Sequence, residues 1–477
     1  MNLKRVSMNR IYKLSLKIIT GIILLIAAMY AVLLAYIYYT DNKEVKVVSN
    51  IKSIYSRMKT PHQLEVIPYG VDSFIKRIEM IQNAAESIEV EFFIYDLDLA
   101  SKVVTSELIK ASQRGVQVRI LVDFSIAVFK LAPEYTNYLK EKGIEVRYYN
   151  TVSNTNFIAV QHRNHRKLLI IDGKIAMTGG RNIANDYFDL GENYNFHDFD
   201  ITVEGKVVKD IRQSFFSYWE SDYASVPELP SENLQSDFFN IGKDSARLMN
   251  YLTKVKEEIH TSENKFECND ITYITDSPGV LVSNRQVYRR LEELVKSAKS
   301  EFLVESPYLV LRSDGANLIK SAIDNGVEFS ILTNSLFSTD AYYTAAALAL
   351  NLRRIHDLGL KTFVYNGTNS YESYKLLNTN EHSKWGVHSK RAVIDGKHTI
   401  VGTYNIDPRS ANLNSEMVII CRDNPELAKA VRDDIKLRMN HSRELHGHEI
   451  ITRGAGTMEK LKFYLSMPLV YFLDFLL

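Results

Sequence analysis

The chain of 477 residues contains very little cysteine, only Cys268 and Cys421. Two cysteines exclude a scaffold built from disulfides and a site of several thiolates, although they leave a single bridge open. The charge is almost balanced, with 58 basic and 57 acidic residues, so no overall attraction for nucleic acid is expected. A hydrophobic fraction of 45% is typical of a globular protein, and the length favours two lobes with appendages.

The N-terminal region carries one long hydrophobic run, residues 18–40, that contains no charged residue. As a helix it would be about 35 Å long, enough to cross a bilayer. Residues 1–17 before it are basic and hold no acidic residue, which favours a cytoplasmic tail. We therefore predict a single-pass cell-membrane protein whose body lies on the non-cytoplasmic side. The alternative is a cleaved signal peptide, but the run is long and lacks a small-x-small cleavage site.

A second feature is a set of reactive side chains that occurs twice. In each copy a histidine and a lysine two residues later precede an aspartate, a glycine and an asparagine at matching offsets. The sets are His165, Lys167, Asp172, Gly179 and Asn182, and His388, Lys390, Asp395, Gly402 and Asn405. Attack on a phosphodiester requires a nucleophile, a proton donor for the leaving alcohol and positive charge on the phosphoryl oxygens. The repeat therefore predicts one bipartite site for phosphodiester transfer.

The carboxylates near these motifs divide into two kinds. On a strand, side chains two residues apart share a face, so each histidine and lysine should point into one cleft. Asp172 and Asp395 lie at an odd offset, and we interpret them as structural partners. A reactive imidazole also needs a carboxylate that fixes its tautomer. Asp198 and Glu416, each next to an apolar strand, are the candidates. Asp200 competes with Asp198, and a strand-end cap or a surface charge is the alternative for both.

The duplication extends to the elements around the motifs. Residues 115–123 resemble residues 326–334, and residues 142–150 resemble residues 358–366. Helical and strand patterns alternate in each half, which predicts α/β sandwich lobes with a largely parallel central sheet. The predicted helices cover 74–87, 101–114, 285–300 and 316–325, and the predicted strands 88–95, 116–123, 301–308 and 327–333. Asp-Gly-Lys at 172–174 and at 395–397 predicts two hairpin turns.

These patterns divide the chain into segments. They are a basic tail (1–17), a transmembrane helix (18–40), a juxtamembrane linker (41–64), a first lobe (65–226), a connector (227–261), a second lobe (262–450) and an apolar C-terminal tail (451–477). The tail is too short to span a bilayer. It is expected either to lie in the membrane interface or to pack on the second lobe.

The paired motifs, with Gly180-Arg-Asn182 and Asp407-Pro-Arg-Ser410, closely resemble the phospholipase D superfamily, and within it the C-type bacterial cardiolipin synthases. The resemblance implies two pseudo-symmetric αβα lobes and a metal-free, two-step transfer through a phosphohistidine. It implies that His165 is the nucleophile and that His388 is the acid and then the base. The remaining implied roles are phosphoryl binding by Lys167, Lys390, Asn182 and Asn405, and orientation of the imidazoles by Asp198 and Glu416.

The substrates implied by this resemblance are phospholipids in a membrane. Phosphatidylglycerol would react with a second phospholipid, phosphatidylethanolamine being one candidate, and no cofactor is required. If water replaces the second lipid, the enzyme would be a phospholipase D hydrolase. A membrane-tethered nuclease would need a basic groove with stacking aromatic residues. A non-enzymatic protein of the same fold would be expected to carry degraded motifs.

Two pairs of residues remain open at this stage. Thr339 and Asp340 are followed by a stretch without the histidine that relatives often hold there, so acceptor specificity is undetermined. These two residues are expected to line a head-group pocket or to cap a helix. Arg181 and Arg409 are expected to meet either phosphate or a carboxylate within a lobe.

Overall fold

The computed structural model describes residues 54–124, 135–151, 161–226, 264–279, 285–370 and 383–477, with residues 248–254 and scattered positions at 17–35 and 246. The chain forms two compact units, residues 1–48 with 281–283 and residues 49–280 with 284–477. Across the described residues, no helix is both long and apolar enough for a membrane span. Much of the helix predicted at 18–40, and most of the connector predicted at 227–261, lie outside the described residues.

The larger unit alternates strands and helices. Its first-half strands are β1 (Tyr55–Met58), β2 (His62–Ile67), β3 (Ser87–Phe92), β4 (Gln117–Asp123), β5 (Ile144–Tyr149), β6 (Leu168–Ile171), β7 (Ile175–Gly179), β8 (Tyr194–His197), β9 (Asp200–Glu204) and β10 (Ala224–Ser225). Its first-half helices are α1 (Gly70–Asn83), α2 (Leu99–Gln113), α3 (Tyr135–Glu141) and α4 (Val207–Trp219). Each predicted first-lobe helix and strand is confirmed to within a few residues.

The second half repeats this order. Its strands are β11 (Lys265–Cys268), β12 (Ile271–Thr275), β13 (Glu301–Glu305), β14 (Glu328–Asn334), β15 (Lys361–Tyr365), β16 (Lys384–Val387), β17 (Arg391–Ile394), β18 (His398–Gly402), β19 (Met417–Cys421) and β20 (Ser442–Glu444). Its helices are α5 (Gln286–Ser297), α6 (Ser313–Asp324), α7 (Tyr342–Leu350), α8 (Leu352–Leu358), α9 (Pro408–Asn412), α10 (Pro425–Met439), α11 (His448–Thr452) and α12 (Thr457–Leu473). The two halves therefore share one architecture.

Each half contributes most of one mixed sheet. The strand orders are β10-β5-β4-β3-β6-β7-β9-β2-β11 and β1-β12-β19-β18-β17-β13-β14-β15-β20. Among the described strands of these two sheets, only β3-β4-β5 and β13-β14-β15 are parallel, so the prediction of a largely parallel sheet is wrong. The helical crossovers produce the parallel pairs, whereas the many hairpin connections force antiparallel pairing.

The predicted Asp-Gly hairpins are confirmed in both halves. Asp172 and Gly173 have φ angles of 53° and 61° and join β6 to β7. Asp395 and Gly396, with φ angles of 50° and 65°, join β17 to β18. Two successive residues at positive φ match the right-handed twist of the flanking strands, and Asp and Gly tolerate that conformation.

The two halves exchange edge strands. β1 precedes β2 in the chain but pairs with β12 of the other sheet, and β11 precedes β12 but pairs with β2. β8 and β16 form a further parallel ladder between the halves. A disulfide joins Cys268 on β11 to Cys421 on β19. β1 lies in the predicted linker 41–64 but belongs to the second-half sheet, and β11 lies in the predicted second lobe 262–450 but belongs to the first-half sheet. From here on, a lobe means one sheet together with its helices.

The core continues from one lobe into the other. One cluster of buried residues combines side chains of both sheets with helices α4 and α10. Two further clusters each belong to one lobe. Phe463 and Val470 of α12 are buried in the second-lobe cluster, so this part of the C-terminal tail packs on that lobe, which is one of the two alternatives expected for it. This continuous core gives the lobes a fixed relation across the seam where the motifs meet.

Candidate active site

Both His-x-Lys segments lie immediately before a strand, rather than on it as predicted. β6 begins at Leu168 and β17 begins at Arg391. Backbone hydrogen bonds to the opposite lobe hold both segments in place. The amide of His165 donates a hydrogen bond to the carbonyl of Ser415 at 3.0 Å, and the amide of His388 donates to the carbonyl of His197 at 2.8 Å. Each histidine is thus held by the residue that precedes a candidate carboxylate.

The imidazole of His165 meets the carboxylate of Glu416 from the other lobe. His165 Nδ1 lies 3.0 Å from both carboxylate oxygens. Thr403 and Ser410 also donate hydrogen bonds to this carboxylate, at 2.5 and 2.8 Å. Phe93 packs against the imidazole with ring centroids 5.2 Å apart. The ring is therefore oriented by one carboxylate and one aromatic neighbour.

The reverse arrangement holds the second imidazole. His388 Nδ1 lies 2.6 Å from Asp198 Oδ2 of the first lobe. The competing candidate, Asp200, instead accepts hydrogen bonds from Arg77 and Arg181 at 3.0 and 3.1 Å. Arg181 therefore meets a carboxylate within its own lobe, one of the two alternatives expected for it.

The glycines that accompany the motifs make room for these carboxylate segments. A Cβ atom at Gly180 would overlap the side chain of Asp198. A Cβ at Gly179 would overlap the carbonyl of Phe199, and a Cβ at Gly402 would overlap the carbonyl of Met417. Because Gly179 and Gly402 have no side chain, β7 can approach β9 closely, and β18 can approach β19 in the same way.

Two buried ammonium groups accompany the imidazoles. Lys167 Nζ donates to the carbonyl of His165 at 2.7 Å, and Lys390 Nζ lies 2.8 and 3.1 Å from the two ring nitrogens of His388. Burial and the neighbouring Lys390 lower the pKa of Lys167 to about 7. Burial lowers the pKa of Lys390 to about 8, although nearby carboxylates oppose that shift. Both lysines therefore titrate near neutral pH.

The electrostatics link the two motifs into one site. Burial, Lys167 and Lys390 lower the pKa of His165 well below its usual value. Burial and Lys390 lower the pKa of His388 to about 3, and Lys167 contributes to the same shift. Burial alone would raise the pKa of Asp198, but His388, Lys390 and Arg181 together lower it well below its usual value. Since each ammonium acts on both rings, the motifs converge.

The motif asparagines and aspartates have different surroundings. Asn182 Oδ1 accepts a hydrogen bond from the amide of Ile94 at 3.1 Å. Among the described residues, the buried Oδ1 of Asn405 has no hydrogen-bond partner. The Asp172 carboxylate accepts hydrogen bonds from the backbone N–H groups of residues 85–87. The Asp395 carboxylate accepts hydrogen bonds from the backbone N–H groups of residues 299–301. Both aspartates thus tie their hairpins to the start of the central strands β3 and β13.

A cavity of about 400 Å³ opens beside His388. Tyr187 and Phe196 line the cavity on the side of His388, and their ring centroids lie 5.1 and 4.7 Å from its imidazole. Thr339 and Asp340 also line the cavity. Its polar lining is mainly acidic and includes Asp96, Asp186, Asp340 and Glu459 together with Lys384. Burial raises the pKa of Asp186 to about 6.

Sequence reasoning did not identify the acidic residues of this pocket other than Asp340. They come from distant segments, and none belongs to a repeated motif. Arg409, the second arginine left open, donates hydrogen bonds to Gln161 and to the carbonyl of Leu476. In the part of the chain that the structure describes, no group of three His, Cys, Asp or Glu side chains could hold a metal ion.

Comparisons with known proteins agree with this geometry. The family model described as "Cardiolipin synthase, PLD-like domain" matches residues 77–219 and 291–438. An uncharacterized protein of Helicobacter pylori (strain ATCC 700392 / 26695) is 29% identical over 418 residues, which cover 80% of each chain. Cardiolipin synthase C of Escherichia coli (strain K12) is 26% identical over 391 residues, 75% of this chain and 81% of that protein.

A solved structure shares the fold. The crystal structure of phosphatidylserine synthase of Haemophilus influenzae Rd KW20 superposes with a TM-score of 0.62 at 12% identity, covering 87% of this chain and 95% of that one. At this identity the likeness supports the fold alone. The family model, however, matches once in each lobe and covers more than half of the sequence. The chain therefore belongs to the phospholipase D superfamily, in the family of cardiolipin synthase PLD-like domains.

Proposed function

We propose that this protein is a phosphatidyltransferase of the cardiolipin synthase type that acts on phosphatidylglycerol through a phosphohistidine. The main support is the pair of imidazoles. Each is oriented by a carboxylate of the opposite lobe, and the same two ammonium groups, Lys167 and Lys390, lower the pKa of both. This set matches the needs of phosphodiester exchange, in which charge develops on the phosphoryl oxygens. Membership of the family and the named relative Cardiolipin synthase C support the lipid substrates.

In the proposed first step, Nε2 of His165 attacks the phosphorus of phosphatidylglycerol. A P–N bond forms, the P–O bond to the glycerol head group breaks, and protonated His388 gives its proton to the departing oxygen. In the second step a head-group hydroxyl of another phosphatidylglycerol attacks the phosphorus, His388 takes its proton and the P–N bond breaks. Phosphatidylethanolamine, which has no head-group hydroxyl, would enter only as the donor of the first step, with ethanolamine in place of glycerol as the leaving alcohol. Lys167 and Lys390 balance the charge of the phosphoryl oxygens in both steps, with Asn182 and Asn405 as further contacts.

The assignment of the two histidines follows the family resemblance, and the electrostatics support it. Asp198 remains ionised because its pKa is held low, so it stabilises an imidazolium on His388. A bound phosphodiester anion would offset the ammonium groups that lower the pKa of His388. Burial raises the pKa of Glu416 to about 7, which leaves it a weaker stabiliser of positive charge on His165. A neutral His165 suits the role of nucleophile.

The acidic cavity beside His388 supports a small polar head group as its occupant. Carboxylates can accept hydrogen bonds from the hydroxyls of glycerol and can pair with the ammonium of ethanolamine. They would repel a polynucleotide, which counts against the nuclease alternative. Whether a lipid or water accepts the phosphatidyl group separates the synthase from the phospholipase D hydrolase.

The direct test uses the purified full-length protein in detergent with phosphatidylglycerol, alone and with phosphatidylethanolamine. Lipid chromatography should reveal cardiolipin. Phosphatidic acid without cardiolipin would identify the hydrolase, and cleavage of single-stranded DNA with neither lipid product would overturn both lipid activities. His165→Ala and His388→Ala should abolish turnover, whereas His356→Ala, at an exposed position with 82% of its side chain accessible, should not change it. Addition of EDTA should leave the rate unchanged if the ammonium groups supply the charge.

A labelling experiment tests the covalent step. Phosphatidylglycerol with a radioactive phosphate should leave label on the chain after rapid quenching, in an acid-labile and alkali-stable form typical of a phosphoramidate. The label should disappear in His165→Asn. Labelling of His165→Asn but not of His388→Asn would reverse the assigned roles.

We also propose that the catalytic lobes lie on the non-cytoplasmic side of the cell membrane. The disulfide between Cys268 and Cys421 supports this location because such bonds persist in oxidising compartments. Trapping of free thiols in intact cells, followed by electrophoresis, should find both cysteines protected until a reductant is added. Free thiols in freshly trapped cells would overturn the proposal.

A further inference from the structure

Helix α12 exposes an apolar face rather than a polar one. Met458, Leu461, Leu465, Leu469 and Phe472 recur at helical spacing, and each is between 49% and 73% exposed. The opposite face buries Phe463 and Val470 in the second-lobe core. A helix that is apolar on all sides is typical of a buried environment or of a membrane.

Helix α7 packs against α12 and carries further exposed apolar side chains. Tyr342, Tyr343 and Leu350 are each about 40% exposed. Tyr464 and Tyr471 of α12 are 56% and 70% exposed. We call this combined area the α7–α12 surface. Large apolar patches on soluble proteins mark sites of interaction, and tyrosine is enriched where a membrane meets water.

The composition around the α7–α12 surface favours lipid over protein as the partner. Arg453, just before α12, and Lys462, within it, are exposed, and Lys460 lies between them. Basic side chains beside an exposed apolar helix are typical of segments that lie in the interface of an anionic bilayer.

The same surface adjoins the acidic cavity. Glu459, in the first turn of α12, lines the cavity and forms an ion pair with Lys384, another lining residue. Asp340 lines the cavity just before α7 begins. Just beyond the other end of the helix, the amide of Arg409 donates a hydrogen bond to the carbonyl of Leu477 at 2.6 Å, and Arg409 is one of the cations that lower the pKa of His165. Both ends of α12 are therefore joined to the catalytic region.

We propose that the α7–α12 surface docks on a phospholipid bilayer and holds the opening of the acidic cavity against the lipid head groups. A substrate could then place its head group in the cavity while its acyl chains stay among apolar side chains and lipid. The lipid partner rests on the proposed function, whereas docking itself can be measured without turnover.

The docking test uses the full-length chain bound to vesicles of phosphatidylglycerol with brominated acyl chains, which quench nearby tryptophan. Leu465→Trp and Phe472→Trp should show strong quenching beyond the background of Trp219 and Trp385. Lys429→Trp is the matched control, since it replaces an exposed side chain of α10 that is 72% accessible. Quenching at positions 465 and 472 equal to that at position 429 overturns the proposal. Such a result accompanied by chemical cross-linking between chains would assign the surface to a second copy.

A paired activity measurement separates docking from chemistry. Leu465→Ser combined with Leu469→Ser should lower turnover on phosphatidylglycerol vesicles by about tenfold or more, because two apolar side chains leave the bilayer. Turnover on short-chain phosphatidylglycerol below its micelle concentration should stay within about twofold of the unmodified protein. Equal losses on both substrates would make the surface structural and overturn docking. Absence of turnover in the unmodified protein would instead contradict the proposed function, with the quenching result still valid.

Discussion

The imidazole of His388, in the second lobe, donates a hydrogen bond to the carboxylate of Asp198, in the first lobe, with 2.6 Å between Nδ1 and Oδ2. In the other pair the lobes are exchanged: Glu416 of the second lobe orients the imidazole of His165 in the first lobe. Each lobe therefore supplies the histidine of one pair and the carboxylate of the other. A lobe alone would contain neither pair, so the proposed reaction depends on the seam between the lobes.

Replacement of Asp198 by asparagine should lower kcat by about 10²- to 10⁴-fold, because an amide can present its N–H₂ group to Nδ1 and stabilise the wrong tautomer. The measurement is the initial rate of cardiolipin formation at saturating phosphatidylglycerol, with thermal melts to confirm folding. Asp222→Asn, at an exposed position, serves as the control. A kcat within twofold of the unmodified value in Asp198→Asn would contradict the assigned role.

Gly180→Ala should reduce turnover strongly while the protein still folds, since the added Cβ displaces the carboxylate that orients His388. Gly315→Ala provides the matched control, because its Cβ would meet only Leu311 Cδ2 at 3.8 Å, an ordinary contact. Circular dichroism and rate measurements on both variants make the comparison. Full activity in Gly180→Ala would show that Asp198 does not need its present position.

The pH profile of kcat/KM should decline on the alkaline side. Burial lowers the pKa of Lys167 to about 7 and that of Lys390 to about 8, so rising pH removes both positive charges from the free enzyme. The phosphodiester anion then loses its partners, so the slope of log(kcat/KM) against pH should become more negative by about 2 through this range. Lys390→Arg keeps one charge at all these pH values, so its slope should become more negative by only about 1.

Lys429→Arg, on an exposed face of α10, is the control for this profile and should keep the original slope. A short-chain phosphatidylglycerol in solution avoids effects of pH on vesicles. An alkaline limb of the same steepness in Lys390→Arg and in the unmodified protein would show that Lys390 does not titrate in this range.

Asp172→Ala should lower the free energy of unfolding by about 1–3 kcal/mol, because the backbone N–H groups of residues 85–87 lose their acceptor. Asp172→Asn should be milder, since asparagine tolerates the positive φ of 53° and retains an acceptor oxygen. Urea unfolding measures both effects. A large loss of kcat in fully folded Asp172→Asn would contradict the structural role.

Local patterns were sufficient to predict much of the architecture. Hydrophobic periodicity located α2 and β14 to within a few residues, and Asp-Gly dipeptides located both hairpins, because these signals depend on neighbours in the chain. The repeat also identified the two histidines, and the structure brings their surroundings together. Asp198 could be separated from Asp200 only by coordinates, since both precede apolar residues at nearly the same point.

The relations between distant segments were not predictable in the same way. The exchange of β1 and β11 depends on which sheet edge each strand meets, and an alternating pattern fits either edge. The sequence pattern predicts that the His-x-Lys segments lie on strands, but the backbone amides of both histidines donate hydrogen bonds to carbonyl groups of the opposite lobe. The acidic cavity combines Asp96, Asp186 and Glu459 from remote parts of the chain, and no spacing rule connects them.

The reciprocal exchange of β1 and β11 has the form of a domain-swapped homodimer whose two subunits have been fused into a single polypeptide. In a symmetric dimer of identical subunits, the two carboxylates would have to be the same amino acid. Fusion removes that constraint, and here one imidazole faces an aspartate while the other faces a glutamate. The covalent link thus permits two chemically distinct histidines inside a scaffold of twofold symmetry, which suits the separate nucleophile and proton-transfer roles that we propose for them.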